Sequence, residues 1–340
     1  MQNLTKEELL LELRRRPGLV PIEIEVRAQR LRWMDLEAYH FYEGFFHRGL
    51  ENLAAQQQAR TGNPLERFET DLDVLHDPEI IVDSIYPTGF IFHAGRCGST
   101  LLTRILARDR RHLVIGEAAA HNQVWMALSN KANHAPALAE RQEAYRHLVL
   151  AMGRQRIAEH EAYFIKFTSF NILFFDFIRS VFPDVPAIFL YRKPLEVVAS
   201  YAKDPPGWLH SSQTDLKLLL ASAVASGSEI EDAFTSPANA VTTLFAAGLG
   251  AGDNGIRYLN YADLTPDNLP TILRTLNAGA TAKQLATMQS QFKFDFKVDD
   301  RATDFVARVR LANLRSIDEP STERLRMLYD QLVESDLNVM

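Results

Sequence analysis

The sequence predicts an α/β protein: a parallel β-sheet flanked by helices on both faces, behind an N-terminal helical extension. Three observations carry that expectation. From Pro87 onward, short apolar runs alternate with amphipathic stretches, the pattern of successive strand–helix–strand units. Within Gly89–Leu102 (GFIFHAGRCGSTLL), an apolar run, a glycine-bracketed loop and a helix start follow one another. Chemistry-bearing residues (His93, Glu117, Lys166, Arg192) then fall at the predicted strand ends, where such sheets bind ligands.

The elements follow in order. Thr5 and Glu8 fit a capping box opening a helix over Lys6–Arg16, which Pro17-Gly18 closes. Val26–Gln58 reads as a longer helical segment with the aromatics Trp33, Tyr39, Phe41, Tyr42, Phe45 and Phe46, a stripe suited to core or subunit contact. Thr61–Pro87, with Pro64 and Pro78 and several acidic residues, reads as a connection. Residues 1–84 are therefore assigned to the helical extension and its connecting region, and 85–340 to the α/β domain. Strands are predicted at Phe90–His93, His112–Ile115, Ala162–Ile165, Ala187–Tyr191 and Ile256–Leu259. Between them helices are predicted at Ser99–Ala107, His121–Ser129, Arg141–Glu159, Asn171–Val181 and Leu195–Ala202. Further helices are expected over Asp215–Ala233, Thr265–Leu276 (Thr265 as N-cap, Pro266 at N1), Ala280–Ser290, Thr303–Leu314 and Thr322–Glu334.

Composition narrows the function. The 340-residue chain carries a net charge of −6, which argues against a nucleic-acid partner. Its one cysteine, Cys97, excludes an intramolecular disulfide or a cysteine-rich zinc site. Its ten histidines show no HExxH spacing, so no metal is implied. The charged start, MQNLTKEELL, lacks a signal-peptide core and no run approaches membrane-spanning length, so a cytoplasmic protein without a membrane span is expected. The aromatic N-terminal region makes homo-oligomerisation plausible.

The loop is the most specific feature. A strand, a tight turn and a helix N-terminus form a concave set of N–H donors for a phosphate-type anion. The nucleotide-kinase signature would place Lys immediately before the Ser/Thr; here Gly98 holds that position and the cation comes earlier, as Arg96. A second anion motif lies about a hundred residues on, in Tyr191–Tyr201 (YRKPLEVVASY). There Arg192 at a strand end and Ser200 in the next helix can converge on one anion, with Pro194 suited to the helix start.

Taken together, these motifs resemble the sulfotransferase family that uses 3′-phosphoadenosine 5′-phosphosulfate (PAPS). Ala94–Thr100 is similar to the family's PKSGTT or PRSGTT loop, and Tyr191–Tyr201 to its YRxPxxVxxSY motif. The resemblance covers Pro87 to about Asp263 and implies a P-loop-like fold with PAPS as donor and no metal. It implies that Gly95, Arg96, Cys97, Gly98, Ser99 and Thr100 cradle the 5′-phosphosulfate, and that Arg192 and Ser200 hold the 3′-phosphate. Lys166 is similar to the family lysine that contacts the bridging or leaving oxygen. Small-molecule members follow that lysine with Thr-His; here Phe167 and Thr168 follow, so that base is absent. Glu117 instead resembles the general base of the tyrosylprotein branch, and a partly desolvated glutamate at a sheet end suits base work. The resemblance implies an acceptor bearing a hydroxyl or amine, and a small molecule, sugar, lipid or peptide fits equally. The family's C-terminal basic run is missing; Arg301, Arg308 and Arg310 are candidate substitutes.

Other residues read as structural. Cys97 fits small-residue packing better than nucleophilic chemistry, and Trp125 and Trp208, weak candidates for the acceptor pocket, fit ordinary packing better. Of His93, His121 and His210, His121 is the best placed as a base, one turn past Glu117. Two alternatives stand beside the transferase. One is a P-loop nucleotide kinase or NTPase, which would need Lys before Ser99 and a strand ending in a metal-binding Asp. The other is a non-catalytic binding protein of the same fold.

Overall fold

The computed structural model describes residues 1–129, 137–209, 216, 220, 234–293 and 319–340. The chain is α/β, with a five-stranded parallel sheet flanked by helices. The strands are β5 (Pro87–His93), β6 (His112–Gly116), β7 (Ala162–Lys166), β8 (Ala187–Tyr191) and β9 (Ile256–Asn260), in the order β6-β7-β5-β8-β9. Every residue of β6 and β8 is buried, as expected of strands covered on both faces. All five strands lie where the apolar runs predict them.

The first 84 residues depart from the helical expectation. They hold a second, four-stranded sheet in the order β1-β4-β3-β2: β1 (Gln2–Asn3), β2 (Leu19–Glu25), β3 (Arg30–Asp35) and β4 (Arg67–Asp71). The reason is a period of two rather than 3.6. In β3, Leu31 and Trp33 are fully buried while Arg30 and Arg32 point outward and pair with Glu23, Glu25, Glu69 and Asp71. The Trp33 indole N–H donates to Thr70 Oγ1 at 3.0 Å, which satisfies its one polar atom. Gln29, at φ 52°, closes the β2–β3 hairpin. Only α1 (Lys6–Arg15) and α2 (Phe46–Thr61) are helical here, and the Thr5/Glu8 capping box forms as predicted.

The chain divides into two units. The first comprises residues 1–90, 103–167 and 177–185; the second comprises 91–102, 168–176 and 186–340. In the first, α4 (Ala119–Ser129) covers the edge of β2, and Gln123 Oε1 accepts the Ile24 N–H at 2.8 Å. α5 (Leu138–Met152) stops at Gly153, earlier than the pattern to Glu159 suggests. Beyond it, Arg154 turns inward, 1 % exposed, and donates to the carbonyls of Leu13 (2.6 Å) and Leu19 (3.0 Å). That side chain ties the end of α1 to β2.

In the second unit lie the start of α3 (Ser99–Leu106), α7 (Pro194–Lys203), α8 (Pro237–Gly250), α9 (Leu269–Thr275), α10 (Ala282–Gln289) and α11 (Glu319–Glu334). A 3₁₀ turn, Ser169–Phe174, replaces the first part of the helix predicted at Asn171–Val181 and precedes α6 (Phe175–Val181). α9 begins at Leu269, four residues after Thr265. The helix expected at Thr303–Leu314 lies outside the described residues, and that at Asp215–Ala233 almost wholly so.

Candidate active site

Strand register explains what meets at the end of the second unit's sheet. β8 and β9 are parallel, with Tyr191 level with Asn260. The next residues, Arg192 and Tyr261, are therefore neighbours, and the Arg192 guanidinium carbon lies 4.7 Å over the Tyr261 ring. The same ring packs on Gly98 (φ 88°), where any side chain would collide with it. One aromatic ring thus touches both the loop and Arg192.

A second contact locks the motifs together. Tyr201, fully buried at the end of the YRKPLEVVASY run, donates its hydroxyl to the Ala94 carbonyl at 3.1 Å. It lies so close to Gly95 (φ 80°) that a Cβ there would overlap it. Arg96 also takes a left-handed conformation, at φ 52°. Left-handed backbone at 95, 96 and 98 curls the loop tightly, a conformation that is costly for the non-glycine residue and that clusters at functional sites.

Two of the loop's polar groups are committed within the protein. The Gly95 N–H donates to His93 Nδ1 at 3.0 Å, which commits that donor inside the loop. Cys97 is buried, and its thiol donates to the Leu190 carbonyl at 3.1 Å, a packing role. Ser99 and Thr100 are the first residues of α3. Arg96 Nη2 donates to both the side chain and the carbonyl of Asp204, each at 2.6 Å, while Arg192 Nε donates to Glu196 Oε2 at 2.6 Å. Ser200 is half-buried on α7, one turn beyond Glu196.

The first unit carries the other pair. β6 and β7 are parallel with Gly116 level with Lys166, and the Glu117 N–H donates to the Lys166 carbonyl at 2.7 Å. Lys166 has no exposed surface. Its Nζ lies 2.7 Å from Glu117 Oε1, an ion pair without hydrogen-bond alignment, and 4.0 Å above the Phe45 ring. Glu117 is 22 % exposed and takes φ 51°, a strained setting for a non-glycine residue. Gly116 is required because the Gly44 carbonyl passes directly over it, which brings Phe45 to Lys166.

His121 lies close by. It is 1 % exposed and packs against Phe167 at 5.6 Å between centroids, with neither ring nitrogen partnered among the described residues. Burial alone lowers its pKa to about 3, so it is neutral at ordinary pH and unsuited to be the base. Trp125 stacks on Tyr145 at 4.8 Å, and Trp208 donates to Ser169 Oγ at 3.1 Å; both are packing residues. His210, Arg301, Arg308 and Arg310 lie outside the described residues. Among the described residues, no group of three metal-ligating side chains occurs and no helix is long and apolar enough to cross a membrane.

Sequence reading missed four residues: Phe45, Glu196, Asp204 and Tyr261. Phe45 was visible only as one member of an aromatic run. Tyr261 has a usable signal, because it follows β9 as Arg192 follows β8.

The chain matches no protein-family profile, and a search of curated proteins finds no significant match. Solved structures to which the chain shows some likeness include three sulfotransferases. The sulfotransferase domain of the Synechococcus PCC 7002 olefin synthase is 14 % identical over 73 % of this chain and 96 % of its own, with a TM-score of 0.43. Sulfotransferase STF9 from Mycobacterium avium is 12 % identical over 72 % and 80 %, with a TM-score of 0.44. Sulfotransferase STF1 from Mycobacterium tuberculosis H37Rv is 13 % identical over 88 % and 89 %, with a TM-score of 0.42.

Proposed function

We propose that the chain is a sulfotransferase that takes its sulfuryl group from PAPS and passes it to a hydroxyl or amine acceptor. The observation that carries the reading is the Tyr261 ring, which touches Gly98 of one anion motif and lies under Arg192 of the other. Two anion-binding elements gathered around one ring suit a ligand with two separated anionic groups better than a single phosphate. The loop also suits such a group, because left-handed backbone at 95, 96 and 98 curls the chain into a concave turn of the kind that binds anions.

In this reading, backbone N–H groups between Arg96 and Thr100, with the Thr100 hydroxyl, receive the 5′-phosphosulfate; Gly95 shapes the loop rather than donating. Arg192 and Ser200 hold the 3′-phosphate. Glu117 takes the acceptor's proton as the acceptor oxygen or nitrogen attacks sulfur in line and the bond from sulfur to the bridging oxygen breaks. Lys166 and Arg96 offset the charge that grows on the bridging and sulfuryl oxygens. The Lys166 ammonium is buried without an aligned hydrogen bond, so it has donor capacity for such an oxygen. Catalysis of this kind is positioning and electrostatics, by analogy with phosphoryl transfer.

Residues 85–340 would then form the transferase domain, and the extension before it contributes Phe45 to the Lys166 environment. The test is binding of adenosine 3′,5′-bisphosphate to Arg96→Ala and Arg192→Ala. Weaker binding in both variants is expected; unchanged affinity in both removes the donor assignment.

A further inference from the structure

Glu196, Ser200 and Asp204 stand at four-residue intervals along α7 and its C-cap, so they form one stripe of the helix. At one end of the stripe Glu196 holds Arg192, and at the other Asp204 holds Arg96. The two arginines assigned above to opposite ends of the donor are each occupied by a carboxylate of the same helix, with Ser200 between them. A carboxylate oxygen on a guanidinium has the charge and hydrogen-bond geometry of a phosphate or sulfuryl oxygen. Both pairs can exchange with solvent: Arg96 and Arg192 keep 30 % and 27 % of their side-chain surface, Asp204 74 % and Glu196 24 %.

Resting on the donor reading, we propose that Glu196 and Asp204 are internal competitors for the donor. With no donor bound they hold both arginines in anion-binding geometry, and they surrender them when a bisphosphate arrives. The device selects for ligands with two anions. A single anion exchanges one ion pair for another with little net gain and stays close to the remaining carboxylate; a bisphosphate replaces both at once. Both carboxylates also repel the incoming anion, so removing either charge favours binding.

The experiment is calorimetric titration of the full chain with adenosine 3′,5′-bisphosphate, adenosine 3′-phosphate and adenosine 5′-phosphate. The proteins are the unaltered chain, Asp204→Asn, Glu196→Gln and Arg192→Ala. Asp204→Asn is expected to tighten the bisphosphate and the 5′-phosphate about threefold, the order of one exposed ion pair, and to leave the 3′-phosphate nearly unchanged. Glu196→Gln is expected to tighten the bisphosphate and the 3′-phosphate by roughly the same factor or somewhat more. Asp204 is largely exposed, so its variant tests the idea even if Glu196→Gln folds poorly. If the unaltered chain binds the bisphosphate and Arg192→Ala weakens it, yet Asp204→Asn and a folded Glu196→Gln bind equally or more weakly, the carboxylates are positioning groups and this inference is overturned while the donor reading stands. If the unaltered chain does not bind the bisphosphate at all, the donor reading itself fails and the inference goes with it.

Discussion

Lys166 and Arg192 both stand at the ends of buried parallel strands and both meet a carboxylate, yet their settings are opposite. Lys166 has no exposed surface and lies between Glu117 and the Phe45 ring. Arg192 keeps about a quarter of its surface, with Tyr261 on one side and Glu196 on the other. An ammonium buried without a counter-charge is costly, so Lys166 and Glu117 are bound to each other by the fold. An exposed guanidinium exchanges partners at little cost. The fixed pair suits groups that must hold one position while a proton or charge shifts beside them, whereas the exchangeable pair suits a site that binds and releases an anion.

Glu117→Gln breaks the fixed pair while keeping its shape. Turnover should fall by about 10²- to 10⁴-fold, the usual weight of a general base, with bisphosphate affinity nearly preserved. A variant with unaltered turnover would mean that Glu117 serves only to neutralise Lys166. Lys166→Met removes the ammonium and keeps the stem. We expect a loss of about 10²- to 10³-fold in kcat, as for a single donor to a developing oxyanion, again with little change in bisphosphate binding. Equal losses in kcat and binding would place Lys166 with the exchangeable cations instead.

Arg192→Ala sharpens the other side of the comparison. Bisphosphate affinity should drop by about 10- to 100-fold, the worth of one charged hydrogen-bonding group, and the loss should shrink at high salt. Acid titration reports the first unit separately. Burial lowers the pKa of His121 to about 3, and burial with the nearby Arg156 and His40 does the same for His160. Both lie below the ordinary 6.5, so as pH falls the unfolded chain takes up protons first. Stability is intact above about pH 6.5 and declines as pH falls below it, because the unfolded chain's imidazoles bind protons that the folded ones do not; thermal melts from pH 7 to 4 measure this. Melting that is flat across that range would mean that the imidazoles are hydrated. The smallest effect is expected from Phe45→Ala, a few-fold drop in kcat from the lost cation–π contact of about 1 kcal/mol.

The central sheet, the glycine turn after β5 and the helix start at Pro194 were legible because each rests on local chemistry. β5 to β9 are short apolar runs, and Gly95, Gly98, Arg192 and Pro194 stand where a turn or a helix start dictates. The N-terminal sheet was not. Its alternation (Ile22-Glu23-Ile24-Glu25, then Leu31-Arg32-Trp33) is brief, and the aromatics that follow mask it. Phe45 could not be assigned to Lys166, because the contact depends on the Gly44 carbonyl crossing Gly116, a packing event between distant segments. Nothing in the sequence pairs Glu196 or Asp204 with an arginine of the loop or strand end; the parallel register of β8 and β9 and the curl of the loop bring Arg192 and Arg96 to them.

The most direct test is a crystal structure of the chain with adenosine 3′,5′-bisphosphate. It should place the 5′-phosphate on the backbone N–H groups between Arg96 and Thr100 and the 3′-phosphate on Arg192 and Ser200, with Glu196 turned away. A bisphosphate seated elsewhere, or touching only one of the two arginines, would contradict it.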